Sequence, residues 1–297
     1  MKKIVILGCE NSHASLFLNF IKDYGKFKDV EVLGVYSDDT AAAKKLNETY
    51  GVSVMDSFDQ YVGKVDGVIN TARHGDKHYK FLAPYLKHGV AAFVDKPVTI
   101  KEAEALKLIA EAEKYGSKLC GGSCLRHDGF VQEIKQDVAV KADGKTHGGM
   151  VRAPLSMNNP HGGFFFYVQH LVEMTLEAFG RYPKSVKAFK SGNDAEFKDG
   201  DDLNVIFRYN DYDIVGLATE GGSAYAISRC SDNNVKSFSF EVSYSRPCFL
   251  AEFNDFYDMM NGAEPTISPK DLIAPVFVMN AIKESLDGGN EITVRKF

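Results

Sequence analysis

The chain has 297 residues, 44% of them hydrophobic and 25% charged, enough to bury a sizeable core and to form two domains. Its net charge of −5 contains no long run of one sign, which gives no electrostatic footprint for nucleic acid or an anionic membrane and leaves a small molecule as the expected partner. No apolar run could span a bilayer, and the apolar part of MKKIVILG is too short for a signal peptide, so a cytoplasmic location is expected.

Lys2 to Gly8 reads as a strand entering the loop GCENSH, followed by a helix through Ala14, Leu16, Phe17 and Phe20 to Tyr24. Val30 to Tyr36 is the second strand, Thr40 to Tyr50 a helix, Val52 to Met55 a short third strand and Gly67 to Asn70 the fourth. A helix from His78 to His88 leads to the fifth strand, Ala91 to Val94, which Asp95, Lys96 and Pro97 stop abruptly. Thr99 and Glu102 stand at capping-box spacing before a helix reaching Tyr115, and Lys118 to Leu119 begins a sixth strand. This alternation predicts a doubly wound parallel sheet of the Rossmann type over residues 1–123.

Ligands of such sheets bind outside the carboxyl ends of the strands. The expected cofactor contacts are therefore Gly8, Glu10, Asn11 and Ser12 in the first loop, Ser37 and Asp38 after the second strand, Thr71 after the fourth, and Asp95 and Lys96 after the fifth. Against a GxGxxG loop only Gly8 is kept; Glu10 takes the second glycine's place and His13 the third's, with Ser12 offered as a helix cap. A carboxylate beside a pyrophosphate would cost about 1–4 kcal/mol, so Glu10 either swings outward or weakens a dinucleotide's hold. Asp38 would accept from a ribose diol and oppose a 2′-phosphate, favouring NAD over NADP; equally, Asp38 or Asp39 simply starts the next helix.

Residues 124–297 form the second predicted domain, an α+β unit on an open, mainly antiparallel sheet. Gly121 to Gly129 is the crossover and Lys135 to Gly149 a polar, lysine-rich face and loop. Met150 to Leu155 is a strand, and Phe164 to Phe179 an apolar helix. On that helix Phe166, Tyr167, His170, Glu173 and Met174 share one face. His170 and Tyr167 could exchange a proton with a substrate, or His170 could be satisfied by Glu173 or a carbonyl inside a core. Strands follow at 203–209, 213–219, 224–230 and 237–244, the last alternating Phe238, Phe240, Val242 and Tyr244; closing helices span 250–261 and 269–286. One apolar sheet face is expected to pair with a second copy as a homodimer or homotetramer.

The five cysteines are odd in number, with Cys120 and Cys124 at a CxxxC spacing that fits no common zinc or redox pattern, and there is no HExxH motif. Reduced thiols and no metal are expected.

Taken together, KKIVILG, VDGVINTARH, FVDKPVTIKEAEALKLIAEAEKYG, GGSCLRHDG, GGFFFYVQHLVEM and the closing segment 249–289 resemble the Gfo/Idh/MocA oxidoreductases over almost the whole chain. The resemblance implies a nicotinamide cofactor, NAD, and a hydride transfer to or from a small hydroxylated substrate of sugar or cyclitol type. Asp95, Lys96 and Pro97 are similar to the family's EKP triplet, whose lysine contacts substrate and nicotinamide, and His170 to the histidine of its second-domain motif GGxxxDxxxH. Counted back from His170, Phe166 occupies the aspartate's place. The implied catalytic residues are Lys96, His170 and Tyr167, with Lys96, Arg126, His161 and His170 binding substrate. The alternative is a ligand-binding or regulatory member without catalysis, motivated by Glu10, His13 and Phe166.

Overall fold

A computed structural model describes residues 1–191, 200–243 and 246–297. The chain divides into two compact units, 1–122 with 250–273, and 123–249 with 274–297. The segment 250–273 thus belongs with the first unit, which a single cut between 123 and 124 does not anticipate.

In the first unit β1 (Lys2–Leu7), β2 (Val30–Tyr36), β3 (Gly67–Asn70), β4 (Ala91–Asp95) and β5 (Lys118–Gly122) form a parallel sheet in the order β2-β1-β3-β4-β5. Burial of every residue of β3 and β4 is what a parallel sheet covered on both faces requires. The helices α1 (Ser12–Asp23), α2 (Thr40–Tyr50), α3 (Asp76–Leu86) and α4 (Glu102–Tyr115) connect the strands. The sheet has five strands where the sequence suggests six, because 52–55 makes one rung only: Val54 bridges Val35, and the backbone turns away after Met55. The cap of α4 also differs, since the Thr99 hydroxyl meets the Glu104 carboxylate at 3.2 Å and not Glu102.

The return segment is held by rings. Phe253 of α7 (Pro247–Met260) lies 5.2 Å from Phe17, 5.9 Å from Phe20 and 4.8 Å from Phe27, ring centre to ring centre. Pairs at such separations contribute about 0.5–1.5 kcal/mol each beyond the area they bury. Lys118 adds hydrogen bonds to the carbonyls of Gly262 and Ala263.

In the second unit α5 (Gly129–Val140) takes up residues 135–140 of the stretch 135–149 expected to be a polar face and loop. Its polar residues Gln132, Glu133, Lys135 and Gln136 mask a buried Val131/Ile134 pair at helical spacing, and Asp128 caps it by accepting from the Phe130 N–H. The sheet joins β6 (Thr146–Pro154), β7 (Ser185–Lys190), β8 (Leu203–Arg208), β9 (Asp213–Thr219), β10 (Ala224–Ser231), β11 (Val235–Glu241) and β12 (Ile292–Thr293) in the order β11-β10-β6-β9-β8-β7-β12. Only the β6–β9 pair is parallel. Strand β11 ends at Glu241, before Val242, and Tyr244 lies outside the described residues. In β8 and β9 burial alternates, so one face carries Leu203, Val205, Phe207, Ile214 and Ala218 into the core. The helix α6 (Phe165–Phe179) packs on β6 and β9 and is buried from Val168 to Phe179 on all sides. The last helix, α8 (Pro269–Gly288), begins behind Ser268, whose hydroxyl accepts from the Asp271 N–H.

Candidate active site

In the first unit the loop between β1 and α1 is shaped by one glycine in particular. Gly8 adopts φ +67°, and a Cβ there would stand 2.2 Å from the backbone nitrogen of Ala72, so no other residue fits without moving β3's exit. Thr71 lies beneath this loop, fully buried, its hydroxyl donating towards the Gly8 carbonyl at 3.1 Å. It supports the loop from below.

Asn11, not Ser12, caps α1, its side-chain oxygen accepting from the His13 N–H at 3.2 Å. The Asn11 amide donates to Asp95 Oδ2 at 3.0 Å, and His13 Nδ1 lies 2.8 Å from the same oxygen. The other carboxylate oxygen accepts from the Lys96 backbone N–H at 2.7 Å. Burial pushes the Asp95 carboxyl up, but His13 and then Lys96 outweigh it and hold the group below its usual range. Asp95 is thus a junction inside the unit. Lys96, 6% exposed, follows it at the carboxyl end of β4.

Glu10 is not swung outward. Its Oε2 accepts from the Ser37 hydroxyl at 2.6 Å and its Oε1 from the Arg73 N–H at 3.2 Å, so the carboxylate spans the exits of β2 and β3 above the end of β1. Beside it opens a pocket of about 480 Å³ lined by Cys9, Ser12, Asp39, Lys45 and Arg73 among others. The Cys9 thiol is pushed up to about 12 by burial and by the Glu10 charge, which makes it inert. Asp38 accepts from the Tyr36 hydroxyl at 2.9 Å and pairs with Lys77 at 2.8 Å; that ammonium keeps its carboxyl below the usual range. Asp39 caps α2, accepting from the Ala41 and Ala42 N–H groups.

His74 and His78 stand four apart, a spacing of metal ligands, but His78 sets its ring nitrogens against the carbonyls of Ala72 (2.7 Å) and Val98 (3.2 Å). Burial drives its pKa down. Among the described residues no three His, Cys, Asp or Glu side chains gather as a metal ion would need, and all five thiols are unbridged.

In the second unit His170 sits one turn into α6 and is 8% exposed. Its Nδ1 lies 2.7 Å from the Ser123 hydroxyl, a partner that neither Glu173 nor a carbonyl supplies and that sequence spacing could not show. Tyr225 stands edge-on to the imidazole at 5.8 Å and Tyr167 lies 6.3 Å away, ring centre to ring centre. Phe166 packs at right angles on Tyr167 at 4.9 Å and, with His161 5.6 Å off, makes an apolar edge where the family motif has its carboxylate. Arg126 is buried, 4% exposed, and its charge acts on Glu173, whose pKa burial nevertheless raises. Glu177 receives Lys135 at 2.6 Å and Arg181. Next to this cluster His127 is forced down to about 3 by burial and by the charges of Arg126, Arg181 and Lys135.

Residues 2–122 match the model of the oxidoreductase family GFO_IDH_MocA, NAD-binding Rossmann fold. The whole chain is similar in fold to a putative myo-inositol dehydrogenase from Sinorhizobium meliloti 1021 (TM-score 0.82, 16% identity, 99% of this chain and 100% of that one). It is similar also to a scyllo-inositol dehydrogenase from Lactobacillus casei with bound NAD(H) and scyllo-inositol (TM-score 0.83, 15% identity, 99% of each chain). A third is the WlbA dehydrogenase from Chromobacterium violaceum in complex with NADH and UDP-GlcNAcA (TM-score 0.80, 16% identity, 100% of this chain and 96% of that one). No curated protein matches at a significant level. By this match, the amino-terminal domain, residues 2–122, is an NAD-binding Rossmann fold of the Gfo/Idh/MocA oxidoreductase type, and the whole chain shares the fold of the dehydrogenases named above.

Proposed function

We propose that the protein is an NAD(H)-linked oxidoreductase acting on a small hydroxylated substrate of the cyclitol or sugar class. The observation that carries this reading is the crevice at the carboxyl ends of β1, β2 and β3, where Gly8 permits the close turn and a pocket of about 480 Å³ opens beside the loop. The site suits a nucleotide's ribose and phosphates, with the Glu10 carboxylate at the second glycine's place opposing the phosphates. Gly8, Ser12 and Ser37 would hold the cofactor, and the carboxylates of Glu10 and Asp39 beside the pocket favour NAD over a form bearing a 2′-phosphate.

When bound, the nicotinamide ring accepts or supplies the hydride. The remaining chemistry falls to the protein. Oxidising a carbinol needs the hydroxyl proton removed as the C–H bond breaks. Lys96 is assigned to hydrogen-bond and stabilise the developing alkoxide, a role suited to an ammonium rooted on a rigid strand end. His170 is assigned to take the proton, with Tyr167 beside it, because Ser123 fixes the orientation of the ring through Nδ1. His161 and Arg126 are assigned to the substrate end; the burial of Arg126 beside Glu173 makes it a support more than a direct contact. The outward sheet face, with Ile206 beside Val215 and Phe189 two residues along β7 from Lys187, is assigned to a second copy of the chain.

Calorimetric titration with NADH and NADPH, followed by turnover on a panel of cyclitols and sugars, tests the reading. Saturable micromolar binding of NADH supports it. Silence to millimolar concentration would favour a ligand-binding module instead, the reading that the satisfied Glu10 carboxylate favours.

A further inference from the structure

The residue at the third glycine's position bears on Lys96. In a dinucleotide loop that glycine lets the helix pack closely on the sheet. Here the position is His13, 8% exposed, its ring 6.2 Å from Phe17 and its Nδ1 2.8 Å from Asp95. Asp95, fully buried at the end of β4, is met from three places: the Asn11 amide of the loop and the Lys96 backbone N–H donate to it, and the His13 imidazole of α1 pairs with it at 2.8 Å. Asn11 in turn accepts from the His13 N–H, closing the circuit.

We propose that His13 and Asp95 are a positioning pair that fixes the backbone of Lys96 to the cofactor loop. The physical reason is the stiffness of a buried carboxylate with several donors. A lost donor leaves charge unsatisfied in a dry interior, so the strand end, the loop and the helix start hold one arrangement or move together. A glycine at position 13 could pack closely but could not make that tie. The charged and titratable groups facing the pair are Lys96, whose charge acts on Asp95, and the buried His78, on which the Asp95 charge acts; Asn11 and Ser12 add polar neighbours. The inference deepens the proposed function, since a held Lys96 matters for the alkoxide role given to it there.

The test separates the pair from the bulk of its side chain and from NAD binding itself. His13→Leu fills comparable space without a donor, whereas His13→Gln keeps an N–H. Amide hydrogen exchange of Lys96, measured on the full chain of wild type and both variants, reads the tie directly. The expected result is exchange at Lys96 at least tenfold faster in His13→Leu, little changed in His13→Gln, with β2 amides unaltered in both. Titration with NADH should then show weaker binding in the Leu variant and recovery in the Gln variant. Equal exchange at Lys96 in the Leu variant and the wild type, or equal loosening in both variants, would overturn the proposal. If wild type takes up no NADH, the proposed function fails, and the exchange measurement still decides the role of the pair.

Discussion

Glu10 offers the sharpest perturbation of the nucleotide crevice. Its carboxylate accepts from Ser37 at 2.6 Å and from the Arg73 N–H at 3.2 Å, so it fills with the chain's own charge a place where a phosphate would seek the same donors. A unit charge about 4–6 Å from a pyrophosphate charge costs about 1–4 kcal/mol for effective dielectric constants between about 80 and 20. Each 1.4 kcal/mol is about a tenfold change in affinity. Glu10→Gln keeps the shape and an oxygen for Ser37 while removing the charge, so NADH should bind about tenfold or more tightly than to wild type. The gain should shrink with added salt, though less than for an exposed charge. Calorimetry with NADH at low and high salt measures both. Unchanged or weaker binding in the Gln variant would show that the carboxylate does not oppose the cofactor, and the reasoning from its position would be wrong.

Lys96→Met should leave the thermal unfolding of the protein close to wild type and lower turnover by about 10²-fold or more, the usual cost of removing a donor at a developing oxyanion; near-normal turnover would exclude that role. Ser123→Ala takes the hydroxyl from His170 Nδ1 and should lower kcat by about fivefold with KM little changed, as expected for about 1 kcal/mol of lost orientation read in steady-state kinetics. Gly8→Ala meets both a left-handed backbone and the Ala72 nitrogen at 2.2 Å, and should cost about 2 kcal/mol or more in denaturant unfolding. For pH, His127 is held neutral in the fold down to about 3, so the unfolded chain binds the extra proton first as acid is added. Its contribution is therefore complete above the ordinary histidine value of about 6.5 and lost as pH falls from there towards about 3, by at most about 1.4 kcal/mol per unit. His127→Phe should flatten this part of the melting profile measured against pH.

How far the sequence could be read depended on how local each signal was. The strands of the first unit are short apolar runs bounded by breakers, and Lys96 is fixed at a strand end by Asp95 and Pro97 next to it, so both were legible. The helix α5 was hidden because only Val131, Ile134 and Asp137 of it are buried, a stripe too thin to outweigh its polar residues Gln132, Glu133, Lys135 and Gln136. The third strand was over-read, since four residues of β propensity at 52–55 find a single bridge. Non-local pairings were not legible at all. Asn11 meets Asp95 across 84 positions and Ser123 meets His170 across 47, and neither short periodicity nor spacing carries such distances. The same holds for the return of 250–273 to the first unit, which rests on Phe253 meeting rings of α1 and of the turn after it.

The loop GCENSH, read as a string, looks like a glycine motif that has decayed. Its surroundings argue otherwise. Loss of function without replacement would leave buried polar atoms facing nothing, at about 1–3 kcal/mol each. Instead the Glu10 carboxylate has Ser37 and the Arg73 N–H, and His13 has the carboxylate of Asp95, which also receives Asn11 and the Lys96 N–H. Gly8, whose left-handed backbone and close approach to Ala72 leave no room for a side chain, is kept. The two departures from the glycine motif are thus both built into the polar contacts of the strand ends, and one of them reaches the residue beside Lys96, to which the proposed alkoxide role is given. On the proposed function, that is the pattern of a loop retuned for how tightly and how rigidly it holds its ligand, with Glu10 bearing on affinity and His13 with Asp95 on geometry.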